Sequence, residues 1–185
     1  MAEGLLQSEQ PRFWEQKSLL ELSRAEWESL CDGCGLCCLI KVEDEDTNDV
    51  FLTRLACRLL DCDSCRCSNY EDRQSHVPDC IVLVPELVAQ LDWLPPTCAY
   101  RRVGRGEPLP EWHHLVCADR EAVHRAGVSV RGKAIRETER RLADVERYLI
   151  AGWDGTSKGE VKPIAVRNTA HPPGHSADAR TKASQ

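Results

Sequence analysis

Residues 26–38 read Glu26-Trp27-Glu28-Ser29-Leu30-Cys31-Asp32-Gly33-Cys34-Gly35-Leu36-Cys37-Cys38, which places four cysteines in eight positions with two glycines among them. Two CxxC pairs overlap here, Cys31 with Cys34 and Cys34 with Cys37, and Cys38 follows at once. A CxxC pair in a tight turn lets two thiolates face one ion while backbone N–H groups hydrogen-bond to the sulfurs, and glycine eases that turn. Thiols spaced by two residues also suit iron–sulfur clusters. An isolated cysteine is most often a small buried apolar group. Packing alone gives no reason for four of them interleaved with glycine, so metal-bound thiolates are the expectation for this run.

Upstream, Trp14, Leu19, Leu20, Leu22, Trp27 and Leu30 recur among charges over residues 12–30 with a helical period. Ser23 and Glu26 form the S-x-x-E capping box, so a helix starts there and leads into the cysteines. Trp27, Leu30, Cys31 and Cys34 follow the spacing of one helical face until Gly33 and Gly35 permit tight turns. Downstream, Leu39 to Val42 and Val50 to Leu55 read as short strands joined by the acidic stretch 43–49, a small hairpin. From Cys57 to Cys80 periodicity is poor, and order there is expected to depend on cross-links. Pro85 suits the first turn of a short helix that stops before Pro95 and Pro96. A further helix is expected around Asp119 to Ala126, closed by Gly127. Another is expected from about Lys133 to Ile150, with Ile135, Leu142, Val145 and Leu149 on one face and Gly152 ending it. Beyond Asp154 the composition cannot offset its ordering entropy.

The expected organisation is a flexible N-terminus over 1–11, one cysteine-rich metal-binding domain over 12–152 and a disordered tail over 153–185. The expected fold is small and α+β, mostly short helices and irregular loops with a small β-hairpin, organised around a cysteine-rich metal site.

Whole-chain numbers agree with that reading. The chain has 185 residues, 5% aromatic residues and two phenylalanines, so its apolar core is thin and something else is expected to help hold the fold. Eleven cysteines, ten of them between Cys31 and Cys98, are the obvious means. The N-terminal stretch has no cationic start followed by an apolar run and a small-residue cleavage site, which predicts a cytoplasmic protein with reduced thiols. A net charge of -6 argues against nucleic acid as a partner. No run approaches the roughly 20 apolar residues that cross a bilayer, so no membrane partner is expected either.

Further ligand candidates are Cys57, Cys65, Cys67, Cys80 and Cys98, each separated by enough chain to fold back on a common centre. With Cys31, Cys34, Cys37 and Cys38 they make nine thiols, enough for two four-coordinate sites with one spare. Cys117 reads as ordinary. Cys62 forms a third CxxC with Cys65, but no glycine eases that turn, and it is left outside the set. His76, His113 and His114 read as surface or hydrogen-bonded histidines, with more interest in His113 for its Trp-His setting. The acidic group from Glu43 to Asp49 lacks EF-hand spacing and reads as a solvated loop, leaving Asp44 and Asp46 as secondary candidates for an oxygen-liking ion. There is no Walker loop, GxGxxG, GxSxG elbow or HExxH.

With these residues assembled, the sequence resembles the YcgN-like branch of the bacterial CxxCxxCC family, described as zinc- or iron-chelating proteins. The resemblance runs from about Phe13 to Val130. It is carried by residues 26–38, Asp44-Glu45-Asp46-Thr47, Ala56-Cys57-Arg58, Cys65-Arg66-Cys67-Ser68-Asn69-Tyr70, Pro78-Asp79-Cys80 and the stretch from Leu94 through Arg101. It implies Cys31, Cys34, Cys37, Cys38, Cys57, Cys65, Cys67, Cys80 and Cys98 as the family's cysteine set, and Leu109-Pro110-Glu111-Trp112-His113 as a further motif that makes His113 a ligand or a wall of the site. It implies zinc or iron, as a mononuclear ion or an iron–sulfur cluster, and supplies no established reaction. Three functions are compatible with this. The first is a metal-binding protein for handling, sensing or partner binding. The second is an iron–sulfur enzyme of group-transfer type, since similar cysteine sets occur in proteins resembling the flagellin lysine methylases. The third is a structural zinc module that presents a surface to a protein partner.

Overall fold

The structure is a computed structural model that describes residues 12–44, 49–150 and 166–167. The N-terminus, Asp46 with the tip of the acidic loop, Gly152 and almost all of the C-terminal tail lie outside the described residues. The chain divides into two compact units, Met1–Asp32 with Leu83–Ala126, and Gly33–Val82 with Gly127–Gln185.

The first unit is helical. Short helices span Phe13–Gln16, Arg24–Ser29, Pro85–Val88, Ala99–Gly104, His114–Cys117 and Ala122–Arg125, with a 3-10 turn at Leu19–Glu21. The Arg24–Ser29 helix starts as the capping box requires. Ser23 Oγ accepts the Glu26 N–H at 3.3 Å and Glu26 Oε2 accepts the Ser23 N–H at 2.8 Å, so two N–H groups that a helix start would leave orphaned are satisfied. The helix ends at Ser29, and the cysteines follow in turns rather than on its face. Leu19, Leu30, Val88, Leu94, Val103 and Val123 are buried in this unit. Tyr100 packs its ring 4.5 Å from that of Trp27 and donates its hydroxyl to the Trp27 carbonyl at 3.1 Å. Apolar stacking and one polar anchor thus hold two helices together.

Two adjacent histidines lie at the centre of this unit. His113 is fully buried, with Nδ1 accepting the Leu115 N–H at 3.2 Å and Nε2 3.1 Å from the Leu30 carbonyl. These partners assign the neutral tautomer with the proton on Nε2. Both ring nitrogens are therefore committed to the backbone, and His113 braces the chain one residue before Cys31. The His114 ring stacks on it at 4.6 Å. Neither nitrogen of His114 has a partner in hydrogen-bond geometry, although the Ser29 backbone is near enough to favour the charged ring. Burial first, and then the charges of His113 and Arg120, push the His114 pKa down to about 4.

An unfolded histidine titrates near 6.5. Below that pH the unfolded chain takes up a proton that folded His114 refuses until about pH 4, so stability falls as pH falls through this window. The expected loss is at most about 1.4 kcal/mol per pH unit, roughly 3 kcal/mol by pH 4. Denaturant titrations of metal-free protein at several pH values, beside His114→Leu, check this. A variant with the same pH slope as the parent would refute the assignment.

The second unit is built on a sheet. Strand β1 (Leu39–Asp44) pairs antiparallel with β2 (Val50–Ala56), with Lys41 opposite Leu52, Val42 opposite Phe51 and an irregularity between Leu39 and Lys41. This is the expected hairpin. A two-residue ladder, β3 (Leu60–Asp61) against β4 (Arg66–Cys67), forms a separate small sheet. Strands β5 (Ile135–Arg136) and β6 (Leu149–Ile150) both join β2, the first parallel and the second antiparallel, while β7 (Val166–Arg167) pairs with β1. Each face of the hairpin buries its own cluster. One holds Leu36, Leu39, Leu52, Ala56, Leu60, Cys65 and Val130, and the other holds Ile40, Val42, Leu55 and Val145. Being covered on both faces explains why every residue of β1 is buried, Lys41 and Glu43 included.

The small α+β class with short helices and a hairpin is as expected, but the long helix from Lys133 to Ile150 is not. That segment breaks into β5, a helix at Glu139–Ala143, a 3-10 turn at Val145–Tyr148 and β6. Thr138 Oγ1 accepts the Arg141 N–H at 3.3 Å and starts the short helix there, and the Glu137 N–H goes to the Ala56 carbonyl at 2.9 Å. The second edge of β2 exposes unpaired backbone groups, and pairing β5 and β6 with it satisfies more of them than one continuous helix would. The helical apolar face still shows in Leu142 and Val145, which pack on the second cluster. Among the described residues, no helix is long and apolar enough to cross a membrane.

Candidate metal centre

In the second unit Gly33 and Gly35 take positive φ, +78° and +75°, so the chain turns sharply before a 3-10 turn at Leu36–Cys38. The Cys38 N–H reaches back to the Gly35 carbonyl at 3.1 Å, and β1 begins at the next residue. Cys37 and Cys38 therefore stand at the open end of the hairpin, with their sulfurs 4.0 Å apart. The Cys57 N–H donates to the Cys38 carbonyl at 2.9 Å, which places Cys57 beside Cys38 where β2 leaves the sheet. A turn closed by Leu60 N–H to Cys57 O at 2.8 Å starts the β3–β4 ladder, whose last residue is Cys67. Cys80 arrives on a turn closed by its own N–H to the Val77 carbonyl at 2.9 Å, and its carbonyl accepts from Gln74 Nε2 at 3.2 Å.

These five thiols act on one another electrostatically. The hydrogen bond to Cys37, then the charge of Cys37, burial and the charge of Cys57 push the Cys38 thiol well up, while Lys41 pulls it down. Burial raises Cys57, with Glu137 and Cys67 adding to it. Burial also raises Cys80, helped by Cys57, Cys67 and Cys37 and opposed by Arg73. For Cys57 and Cys80 burial, with repulsion between sulfurs adding to it, favours the neutral thiol. A divalent cation reverses it, and each ligating sulfur releases its proton.

Lys41 is 1% exposed, and its Nζ donates to the carbonyls of Cys37 and Leu39 at 2.9 Å each. Burial pushes its ammonium down to about 8, while negative charge on Cys37, Cys38 and Cys80 pushes it back up. The sequence marks Lys41 only as a charge inside an apolar strand, Leu-Ile-Lys-Val.

The other expected ligands are distributed differently. Cys65 is buried in the first apolar cluster, against which Cys34, Cys62 and also Cys38 pack. Its thiol is raised by burial and lowered by Arg131 and a Ser129 side-chain hydrogen bond. Cys31 and Cys98 belong to the first unit, Cys31 exposed and Cys98 half-buried before the Ala99–Gly104 helix. Cys117, also in the first unit, is exposed, with carbonyls of Trp112 and Asp119 at 3.5 and 3.6 Å from its sulfur. Asp44 is buried at the end of β1.

The donor set fits a thiophilic ion in its chemistry. Two sulfurs each about 2.3 Å from a tetrahedral zinc lie about 3.8 Å apart, close to the observed separation of Cys37 and Cys38. Among the described residues, no three His, Cys, Asp or Glu side chains already converge in a metal-binding group. Binding thus requires the thiols to draw together as their protons leave.

Residues 30–99 match the family described as a "putative zinc- or iron-chelating domain". Among curated relatives, a UPF0260 protein of Pseudomonas putida is 54% identical over 77% of this chain and 96% of its own length. One of Granulibacter bethesdensis is 52% identical over 90% of this chain and 95% of its own. One of Pseudomonas aeruginosa is 56% identical over 75% and 93%. No solved structure matches.

Proposed function

Because the chain belongs to the CxxCxxCC family and its UPF0260 proteins, we propose that it binds zinc or iron through cysteine thiolates, with Cys37, Cys38, Cys57, Cys67 and Cys80 at the centre of the site. The observation that carries this reading is the gathering of five thiols from four separate stretches of one unit, within electrostatic reach of one another. Cys31, Cys34, Cys65 and Cys98 complete the proposed ligand set, which would also suit an iron–sulfur cluster. A reducing, cytoplasmic setting keeps all of them as thiols.

The bound ion would neutralise the thiolates and tie together the hairpin end, the β3–β4 ladder and the Cys80 turn. Metal analysis beside the visible spectrum of anaerobically purified protein tests the reading. Zinc in colourless protein, or iron with broad sulfur-to-iron absorption, is the expected result. Protein that carries no metal and melts at the same temperature with and without a chelator would sink it.

A further inference from the structure

Cys57 is held from two sides. Its own N–H donates to the Cys38 carbonyl at 2.9 Å, and the next one along, that of Arg58, donates to Glu137 Oε1 at 2.8 Å. Glu137 reaches this place through β5, whose parallel pairing with β2 sets Arg136 opposite Ala56, and its own N–H goes to the Ala56 carbonyl at 2.9 Å. The break in the helix expected over 133–150 is thus what brings a carboxylate to the cysteines. The Glu137 side chain is 14% exposed. The Arg58 guanidinium stands 4.0 Å from the same Oε1, but its side chain is 61% exposed and offsets little of the carboxylate's charge. Both contacts fall on Oε1, and Oε2 takes no hydrogen bond from a described residue. The Cys57 thiol, raised first by burial, has Glu137 and Cys67 as negative neighbours and Arg58 as a positive one. An N–H at the end of β2 needs only a neutral acceptor, and a half-buried carboxylate is a costly way to supply one. A carboxylate beside a thiolate repels it, whereas a divalent ion between the two is bound by both.

We propose that Glu137 is an oxygen ligand of the thiolate site and completes, with Cys57 and its neighbouring thiols, a mixed sulfur–oxygen coordination. Oε2 takes the ion while Oε1 keeps the Arg58 N–H, the kind of hydrogen bond that orients a ligating carboxylate. Zinc and ferrous iron accept thiolate and carboxylate together, whereas a cuprous ion is best served by sulfur alone, so the donors match the first two. Residues 30–99 supply the sulfur of this site, and the segment beyond them supplies its oxygen. The inference rests on the metal-binding reading above.

The test compares the full chain with Glu137→Gln, which keeps an oxygen for the Arg58 N–H and removes the charge, and Glu137→Ala, which removes both. Zinc affinity is measured by competition with a chromophoric chelator. Cobalt reports the donors, because its sulfur charge-transfer band counts thiolates while its ligand-field bands move when an oxygen donor is lost. The expected result for both variants is zinc binding weaker by at least about tenfold, with unchanged charge-transfer intensity and shifted ligand-field bands. Metal-free Glu137→Gln should melt with the parent and metal-free Glu137→Ala below it, since only the second orphans the Arg58 N–H. Parental zinc affinity and unshifted cobalt bands in Glu137→Gln would overturn the proposal and leave Glu137 a structural acceptor. A Glu137→Gln chain that fails to fold, or melts as early as Glu137→Ala without metal, would overturn it too, because the loss would then be structural. If the parent chain itself takes up neither ion, the metal-binding reading fails first, and that outcome is distinct from a parent that binds and variants that bind equally.

Discussion

Cys38→Ser is expected to lower zinc affinity by at least about 100-fold, more than the loss of a group that merely supports a ligand. The Cys38 sulfur is 4.0 Å from that of Cys37, and its backbone is tied to Cys57. A serine hydroxyl fits the same space but does not ionise to a soft anion at neutral pH, so the ion loses a thiolate and gains at best a weak neutral oxygen. The substitution should also remove the metal's share of stability, seen as a melting temperature that no longer rises on adding zinc. Cys117→Ser is the control. Cys117 is exposed in the other unit, and its substitution should leave affinity unchanged. Equal affinities for the Cys38 and Cys117 variants would remove the Cys37–Cys38 pair from the site.

Gly35→Ala should destabilise the second unit by about 2–5 kcal/mol through two separate causes. At φ +75° an L-residue carries a steric cost of about 1–2 kcal/mol. A Cβ at this position would also sit 2.7 Å from Val130 Cγ2 and 3.4 Å from Cys65 Cβ, inside the first apolar cluster, and overpacking there costs a further 1–3 kcal/mol or so. The effect should reach the thiols, because the Gly35 carbonyl closes the turn that presents Cys37 and Cys38. Gly33 also has positive φ, +78°, but a Cβ there would meet nothing within 4 Å. Gly33→Ala should therefore cost only the backbone part. Denaturant titration of both variants separates the contributions, and equal losses at the two positions would show that the contact with Val130 is immaterial.

Features set by a few neighbouring residues were legible in the sequence. Ser23 and Glu26 form their box because a side chain and an N–H three residues apart meet whatever surrounds them. The hairpin between Leu39 and Ala56 follows from two β-rich runs around an acidic stretch, and the Pro85 helix from a fixed φ at its first turn. The segment from Lys133 to Ile150 shows the limit. Its helical period is present, yet the waiting edge of β2 captured its two ends, and that edge exists only once the hairpin has formed. His113 reads as a hydrogen-bonded histidine to which the family motif adds a ligand or site-wall role, and in the fold both its nitrogens go to the backbone.

The sequence by itself determined that this chain concentrates thiols at turns beside a capped helix and a hairpin, because spacing, glycine and capping chemistry act over a few residues. Only the tertiary structure decided how those thiols are divided. Cys65, at φ +57°, turns into the apolar cluster, while Cys67 two residues later lies within electrostatic reach of Cys57 and Cys80. The same long-range packing enclosed the ammonium of Lys41 beside Cys37. Burial and electrostatic reach depend on which distant segments meet, and no spacing within the chain encodes that.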